Sequence, residues 1–371
     1  MRKLRITVLS HVIGAGGGDQ LIANIFRHMR HAEIGDWFVE TPFYNEDAVA
    51  GFAKRVHCVP GSEEPRAGEL TTTDKIQPWT EWRMAILEAC SHSDAVIMWG
   101  FSRIEELARL IDAPVIHFIQ AGSQLSKARE AKLAEFADFH VAVSRAARSL
   151  LPDDIAKTCP VIYSGADPMR VVPAKGRQVQ RQEWEIPDEA KVLLFIGRLV
   201  PGKNAEALVQ AVSALPDSWI GLIVGSGPKM PQIREKACEF APGRVLIAQD
   251  PWMHIGDALA ASDVLLMPSD SEGDPIVIHE AQLAGLPVVA TDIPVIQEHE
   301  RAFGELCYKI PTSPPPSVIA EAVQLAAQDR DHGALSLTAR ARSAAWNHFT
   351  VPRIAANWAE ALEAFIPQYR R

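Results

Sequence analysis

Short apolar segments alternate with segments of helical periodicity along almost the whole chain, and some of the apolar segments, such as 192–196, contain no polar residue. Apolar runs of this length are typical of strands buried on both faces of a parallel sheet. The predicted strands are 6–10, 37–40, 95–99, 115–119, 139–143, 161–163, 191–196, 219–224, 244–248, 264–267 and 288–290. The predicted helices include 20–29, 104–111, 205–214 and 354–366. The alternation predicts an α/β fold in which helices cover both faces of parallel sheets.

The chain has 371 residues, more than one hydrophobic core usually holds, so two domains are expected. Residues 168–187 interrupt the alternation with three prolines, four cations and few apolar side chains, which is typical of a linker. We therefore predict an N-terminal domain over 1–167, a linker over 168–187 and a C-terminal domain over 188–350. A helix within 351–371 is expected to pack back on the N-terminal domain. The predicted fold class is α/β, with two doubly wound Rossmann-like domains that face each other across a cleft.

Composition narrows the classes of function. The 37 basic and 46 acidic residues give a net charge of −9, which argues against general nucleic-acid binding because that requires a basic surface. No apolar run reaches the roughly 18 residues of a membrane span, and the apolar start is too short for a signal peptide. The five cysteines are scattered without metal-ligand or redox spacing, so reduced thiols and a cytoplasmic location are expected, and no metal site is predicted.

The most informative motif is a pair of glutamates, Glu272 and Glu280, that follows the predicted strand 264–267. Pro275 suits the first turn of a helix and Gly285 suits its end, so the loop amides and the positive end of this helix can face an anion. Glu280 lies within the helix, where a buried carboxylate needs a partner, and the hydroxyls of a ribose would serve. The alternative is that Glu272 is a solvated loop residue and Glu280 pairs with a neighbouring cation.

A second motif follows the first strand of the C-terminal half, where Gly197 and Arg198 precede a Pro-Gly turn and Lys203. A guanidinium that binds two oxygens at once and a point-charge ammonium suit a diphosphate. Each charged hydrogen bond of this kind contributes about 1.5–3 kcal/mol. The alternative is a pair of exposed loop cations. Because parallel strands end at the same sheet edge, we expect this motif and the glutamates to converge.

Two glycine-rich segments are less specific. Gly225-Ser226-Gly227-Pro228 follows a predicted strand, and it suits close approach by a nucleotide and a tight strand–helix connection equally well. Near the N-terminus, Gly14-x-Gly16 begins a dinucleotide fingerprint, but Asp19 stands where glycine or alanine is needed for helix–strand packing. We therefore expect the N-terminal segment to be a flexible loop that lines the cleft.

Taken together and in order, these motifs resemble the retaining glycosyltransferases of family 4, whose members have the GT-B fold. The resemblance covers most of the chain. It is carried by Gly17-Gly18, Val143-Ser144, Ser164-Gly165-Ala166-Asp167, Gly197-Arg198-Leu199 with Lys203-Asn204, Gly225-Ser226-Gly227-Pro228, and Glu272-x7-Glu280. It implies an acceptor-binding N-terminal domain and a C-terminal domain that binds a nucleotide-sugar donor.

The resemblance also implies a role for each of these residues. Arg198 and Lys203 would hold the diphosphate, Glu280 would bind the ribose hydroxyls, and Glu272 would lie beside the transferred sugar. Glu272, Arg198 and Lys203 are therefore the expected catalytic residues. The remaining expected donor-binding residues are Gly273, Asp274, Pro275, Ile276, Gly227, Gly17, Gly18 and Gln120, and residues 248–252 would border the base. The donor is a substrate, and no metal or other cofactor is implied, because the leaving phosphate assists deprotonation of the acceptor.

This sequence departs from the family pattern at three positions. Gln120 stands where the family commonly has a histidine that faces the donor sugar, Asp274 replaces a frequent aromatic residue, and Ser164 replaces the usual asparagine. His11 and His117 are expected to serve in packing and hydrogen bonding rather than in catalysis. On strand 115–119, His117 is expected to point to the sheet face opposite Gln120.

The acceptor is not encoded by any motif, and a glycan, a lipid-linked molecule or a small molecule would fit. Because basic and apolar residues share 125–151, peripheral contact with the inner face of a membrane is one expectation, and an ordinary surface helix is the other. Two further functions remain open at this point. One is a nucleotide-sugar epimerase or hydrolase of the same architecture, and the other is a nucleotide-sugar binding protein without catalytic activity.

Overall fold

A computed structural model describes residues 3–11, 17–40, 53–58, 79–248, 254–329 and 336–366. The chain forms two compact units. Unit 1 comprises Met1–Ser164 together with Val351–Arg371, and unit 2 comprises Gly165–Thr350. Each unit is built on its own parallel sheet of six strands.

The strands of the two sheets are β1 Leu4–Ser10, β2 Ala32–Val39, β3 Arg55–Cys58, β4 Ala95–Trp99, β5 Val115–Ile119, β6 Phe139–Ala142, β7 Lys191–Ile196, β8 Trp219–Val224, β9 Val245–Ala248, β10 Val264–Met267, β11 Val288–Thr291 and β12 Tyr308–Ile310. Unit 1 has the order β3-β2-β1-β4-β5-β6, and unit 2 has the order β12-β11-β10-β7-β8-β9. Both orders are doubly wound, so the predicted fold class is confirmed. The sequence patterns missed β3 and β12, which are short edge strands.

The helices are α1 Gly17–His28, α2 Trp79–Ser91, α3 Lys127–Ala134, α4 Arg145–Arg148, α5 Asp153–Thr158, α6 Arg177–Glu183, α7 Glu206–Ala214, α8 Met230–Phe240, α9 Ile255–Ala261, α10 Ile276–Ala284, α11 Pro294–Phe303, α12 Pro316–Asp329, α13 Leu337–His348 and α14 Val351–Phe365. Among these described helices, none is long and apolar enough to cross a bilayer.

Helix α14 belongs to unit 1, to which the C-terminal segment returns. The buried ring of Trp358 meets Phe118 of β5 edge-on at 5.1 Å, and Phe365 stacks on Phe139 of β6 at 4.5 Å. Burial of these aromatic surfaces stabilises the attachment of α14 to unit 1.

The core of unit 2 lies between its sheet and helices α7 and α12. Leu208 and Val212 of α7 and Val323 of α12 are fully buried with Leu193 of β7. Strand β7 pairs with β10 in the register Val264–Leu193 and Leu265–Leu194. This pairing places the loops that follow β7 and β10 side by side at the carboxyl edge of the sheet.

The predicted linker, 168–187, differs from the structure because it is folded into unit 2. It contains α6, in which Arg181 is 2% exposed and donates to the carbonyl oxygens of Ala261, Ala190, Pro187 and Asp188. The guanidinium also pairs with Asp263. The polar residues of this segment therefore include the centre of a buried hydrogen-bond network, and the segment is not a separate linker.

Two smaller predictions were wrong. Residues 161–163 form no strand, and Val161 makes only an isolated bridge to Ala142. The helix expected over 104–111 is replaced by two short 3₁₀ turns, Ile104–Glu106 and Ala108–Leu110.

Candidate functional site

The candidate site of unit 2 lies where the winding of its sheet reverses. β7 and β10 are neighbours at the centre of the sheet, and the connections from these two strands lead to opposite sides. The loops after these strands diverge and leave a crevice, which is the usual ligand position in doubly wound sheets. The β7 loop carries Arg198 and Lys203, and the β10 loop carries Glu272.

The two loops are bonded to one another through their backbones. The amide of Asp270 donates to the carbonyl oxygen of Gly202 at 2.8 Å, and the side chain of Asn204 donates to Pro268 and to the Asp270 carboxylate. The Gly202 backbone has φ +82°, a conformation that favours glycine. These contacts give the β10 loop a fixed position relative to the β7 loop.

Lys203 and Glu272, both predicted to be catalytic, form an ion pair across the crevice. Lys203 Nζ lies 2.5 Å from Glu272 Oε1, and the two side chains are 25% and 13% exposed. Arg198 is exposed and has no hydrogen-bond or ion-pair partner within the described part of the chain. The site therefore combines a neutralised pair with a cation that is available to an anion.

Helix α10 runs from Ile276 to Ala284. Pro275 is its N-cap and not a residue of its first turn, whereas Gly285, with φ +73°, is the left-handed C-cap that the sequence predicted. The helix contains Glu280, which is buried, and burial raises the pKa of this carboxyl above its ordinary value. Arg170 Nη1 lies 3.4 Å from Glu280 Oε1 and opposes the rise, whereas Asp167 adds to it.

Sequence reasoning required a partner for Glu280 and kept a neighbouring cation as one option. That cation, Arg170, was not identified. Its only sequence signal is its place in the cation-rich segment that was interpreted as a linker.

Asp274 faces the protein interior and not the crevice. Its Oδ1 lies 3.1 Å from His279 Nε2 and 3.2 Å from His299 Nε2, and the carboxylate is fully buried. Burial by itself raises the pKa of Asp274, but the two histidines lower this pKa by more than burial raises it, so the net shift is downward. Any donor contact from this residue must therefore come from its backbone. Sequence reasoning missed His299, which no local pattern marks.

The Gly225-Ser226-Gly227-Pro228 turn packs against the β7 loop. A Cβ at Gly225 would lie 1.9 Å from the carbonyl oxygen of Gly197, and one at Gly227 would lie 2.4 Å from that of Leu199. The amide of Leu199 donates to the carbonyl oxygen of Ser226 at 2.8 Å. Loop packing thus explains both glycines, and a donor contact by Gly227 stays a prediction.

The donor-binding residues predicted in unit 1 lie at the corresponding edge of its own sheet. Gln120 follows β5, and its Nε2 is buried without a hydrogen-bond partner among the described residues. Gly17 and Gly18 are the first two residues of α1. Of the N-terminal glycine loop, 12–16 lie outside the described residues, as do 249–252 of the segment expected to border the base.

A second polar cluster lies at the same edge of unit 1. Glu40, at the end of β2, is buried and accepts hydrogen bonds from the Ser102 amide and hydroxyl and from the Arg103 amide. His11 Nδ1 lies 3.3 Å from Glu40. His117 is buried and lies 3.0 Å from Glu130. Both histidines therefore have a hydrogen-bonding contact, and their lack of a catalytic role stays a prediction.

The segment 125–151 was one basis for expecting membrane contact. Leu125 is 97% exposed, but Arg129 pairs with Glu130, and Lys132 pairs with Glu105. Two of its cations are therefore already neutralised, and membrane contact stays a prediction.

Comparison with known proteins agrees with this geometry. Residues 190–329, from the start of β7 to α12, match the family described as Glycosyl transferases group 1. A D-inositol 3-phosphate glycosyltransferase of Streptomyces scabiei is 32% identical over 156 residues, which cover 38% of this chain and 34% of that protein. A GDP-mannose-dependent monoacylated alpha-(1-6)-phosphatidylinositol monomannoside mannosyltransferase of Corynebacterium glutamicum is 32% identical over 140 residues, covering 34% and 36%. The matches to such relatives span roughly a third of their lengths.

Solved structures extend the comparison to nearly the whole chain. The crystal structure of Anabaena HepE in complex with UDP-glucose aligns with a TM-score of 0.80 at 18% identity, covering 97% of this chain and all of the other. The chain has the GT-B fold. WaaG, a glycosyltransferase involved in lipopolysaccharide biosynthesis, aligns with a TM-score of 0.67 at 16% identity, covering 95% of this chain and 99% of the other. In this GT-B protein, the group 1 match contains the loops after β7 and β10, which carry Arg198, Lys203 and Glu272, and helix α10, which carries Glu280.

Proposed function

We propose that this protein is a retaining, family 4-like glycosyltransferase that transfers a sugar from a nucleoside-diphosphate sugar to a hydroxyl-bearing acceptor. One observation carries the proposal. Three charged features lie together where the winding of the unit 2 sheet reverses. They are Arg198, which has no partner among the described residues, the Lys203–Glu272 ion pair, and the buried carboxylate of Glu280 on α10. These groups fall inside the region that matches a glycosyltransferase family.

The charges of the site suit a departing nucleoside diphosphate. As the sugar–phosphate bond weakens, negative charge accumulates on the leaving oxygens, and Arg198, Lys203 and the amides before α10 can stabilise it. Interactions that strengthen as the bond breaks lower the barrier, because they bind the transition state better than the substrate. Glu272 holds Lys203 in place before the donor binds and partly neutralises the charge of this lysine.

The proposed chemistry uses the leaving group as the base. The bond from the sugar C1 to the diphosphate oxygen breaks, and the acceptor oxygen forms a bond to C1 on the same face. The acceptor proton passes to an oxygen of the leaving phosphate, so no protein nucleophile is needed. Glu280 would accept hydrogen bonds from the ribose hydroxyls, displacing or sharing its contact with Arg170.

The donor class is proposed from two similar proteins. HepE was solved with UDP-glucose, and a mannosyltransferase among the relatives is GDP-mannose-dependent. Both donors belong to the similar proteins, so UDP- and GDP-sugars are the first donors to test with this chain. The acceptor is left open among a glycan, a lipid-linked molecule and a small molecule.

The test is turnover of defined donors by the purified protein. UDP- and GDP-sugars are incubated with and without an acceptor panel, and the products are followed by chromatography and by NMR of the new anomeric centre. We expect acceptor-dependent release of nucleoside diphosphate with retained configuration. Lys203→Met should abolish this, whereas Lys191→Met, at the opposite end of β7, should not.

Other outcomes of this assay would overturn the proposal. Equal consumption of donor with and without acceptor would indicate a hydrolase, and conversion of donor to its epimer would indicate an epimerase. Tight donor binding without turnover across the panel would indicate a binding protein. An inverted anomeric centre would contradict retention.

A further inference from the structure

A buried carboxylate lies within the loop proposed to meet the donor. Asp274 stands two residues after Glu272, and its side chain points the opposite way, into the core of unit 2. Its Oδ1 is within 3.2 Å of Nε2 of both His279 and His299. One loop and two helices, α10 and α11, therefore meet at a single oxygen atom.

The cluster is enclosed by aromatic side chains. His279 is fully buried and stacks on Phe349 with ring centroids 4.1 Å apart and an interplanar angle of 12°. His299 is 3% exposed and lies tilted against the same ring at 5.1 Å. An ionised carboxylate in such surroundings is stable only while its hydrogen-bond partners stay in place.

The three side chains are also a combination that binds metals, since their ligand atoms all lie within 4.8 Å of one another. The position of the proton on His279 distinguishes a metal site from a hydrogen-bonded cluster. A hydrogen bond from Nε2 to Asp274 leaves Nδ1 as a bare lone pair, and Nδ1 is buried without a partner among the described residues. A metal on Nε2 would move the proton to Nδ1 and leave a buried donor unsatisfied, whereas metal-bound histidines normally donate from that nitrogen. At His279, hydrogen bonding is therefore favoured over metal binding.

We propose that Asp274 is a positioning residue that, through His279 and His299, holds the β10 loop in its donor-binding conformation. This inference rests on the proposed function. The loop is fixed at one end by the bond between Asp270 and Gly202, and Asp274 fixes it beyond Gly273. Glu272 is thereby presented to Lys203, and the amides before α10 are ordered before the donor binds. Pre-ordering lowers the entropy cost of binding.

The experiment compares Asp274→Ala, Asp274→Asn and His299→Gln with the unaltered protein. Hydrogen exchange is measured on peptides that span 270–278 without ligand, and UDP and GDP affinities are measured by calorimetry. In Asp274→Ala we expect faster exchange confined to this loop and an affinity loss of about tenfold or more, the effect of ordering a few residues on binding. Asparagine retains one acceptor oxygen, so it should restore part of both properties.

A matched control separates positioning from general loss of stability. Val323→Ala removes buried volume from α12, away from the loop, and should lower the melting temperature while leaving loop exchange and nucleotide affinity unchanged. His299→Gln provides the same readout if Asp274→Ala does not fold.

Four results would overturn the inference. They are unchanged loop exchange in the Asp274 and His299 variants, loss of affinity in Val323→Ala to the same extent, no difference between asparagine and alanine, and one equivalent of metal in the purified protein that a chelator removes. If the unaltered protein binds no nucleotide, the proposed function fails, and the ligand-free exchange data still decide whether Asp274 orders the loop.

Discussion

Arg170 Nη1 lies 3.4 Å from Oε1 of Glu280, so the buried carboxylate of α10 is paired with a cation from the segment before α6. The arginine is more exposed than the glutamate, at 36% against 5%. Under the proposed function, an incoming ribose would bind the carboxylate while the guanidinium turns to solvent or to the nucleotide. The relationship also makes the ionisation of Glu280 depend on Arg170.

Replacing Arg170 with glutamine should shift the pH dependence of nucleotide binding upward. Burial raises the pKa of Glu280, and Arg170 opposes this, so its removal raises the pKa further. The variant should bind UDP more weakly at neutral pH and regain affinity as the pH increases. Calorimetry from pH 5 to pH 8 checks this against Arg234→Gln, an exposed arginine on α8. The nucleotide's own phosphate ionisation, at about pH 6, affects all three proteins equally. Parallel profiles would contradict the coupling.

Glu280→Gln should abolish tight nucleotide binding and yet stabilise the ligand-free protein. A carboxyl whose pKa is raised on folding contributes stability below its unfolded pKa, and this contribution is lost as the pH rises through the folded pKa. At neutral pH the buried charge is therefore unfavourable, and a neutral amide relieves it, as is common at functional sites. Thermal unfolding should show a higher melting temperature for the variant at pH 7.5 and a smaller difference at pH 4.5. A lower melting temperature at pH 7.5 would count against this account.

Asp36 should make unit 1 sensitive to acid. Burial alone raises its pKa, but hydrogen bonds from Arg55, His57 and Arg5 lower it to about 2. Stability from a lowered carboxyl pKa is present above the unfolded value of 3.8 and is lost as the pH falls toward about 2. Asp36→Asn should cost about 1–3 kcal/mol at pH 7 in urea unfolding of the whole protein, because it removes the charged acceptor of these hydrogen bonds. Equal stability of both proteins at pH 7 would refute the assignment.

Gly227→Ala should disturb the cation loop through packing. The added Cβ would meet the carbonyl oxygen of Leu199 at 2.4 Å, so the β7 loop must move. We expect a loss of about 1–3 kcal/mol in the stability of unit 2 and weaker UDP binding, because Arg198 moves with Leu199. Gly243→Ala, at a positive φ in open space, is the control, since it carries the backbone strain without the clash. Equal effects of the two substitutions on UDP affinity would show that packing against Leu199 is unimportant.

Much of the fold follows from local patterns, because buried parallel strands are continuously apolar. Strands β4, β5, β7, β8 and β10 were predicted with the bounds that the structure shows. Pro275 and Gly285 similarly predicted the limits of α10, since proline and glycine restrict or permit backbone conformations locally. The meeting of Lys203 with Glu272 followed from the rule that parallel strands end at one edge.

The remaining features depend on contacts between distant residues. Arg170 and Glu280 are 110 positions apart, and Asp274 and His299 are 25 apart, so no local spacing indicates either pair. Arg181 is a charged residue in a polar segment, and only the carbonyl groups that surround it make its burial favourable. The sequence therefore predicted which residues lie near the site more reliably than which side chains face it.

The most direct test of the account is calorimetric titration of the protein with UDP, GDP, ADP and dTDP, repeated with Arg198→Ala and with Arg234→Ala. We predict binding of at least one nucleoside diphosphate, a loss of about tenfold or more on removing Arg198, as expected for a charged hydrogen bond, and no change on removing Arg234. Binding of none of the four, or equal affinity of Arg198→Ala and the unaltered protein for all of them, would contradict it.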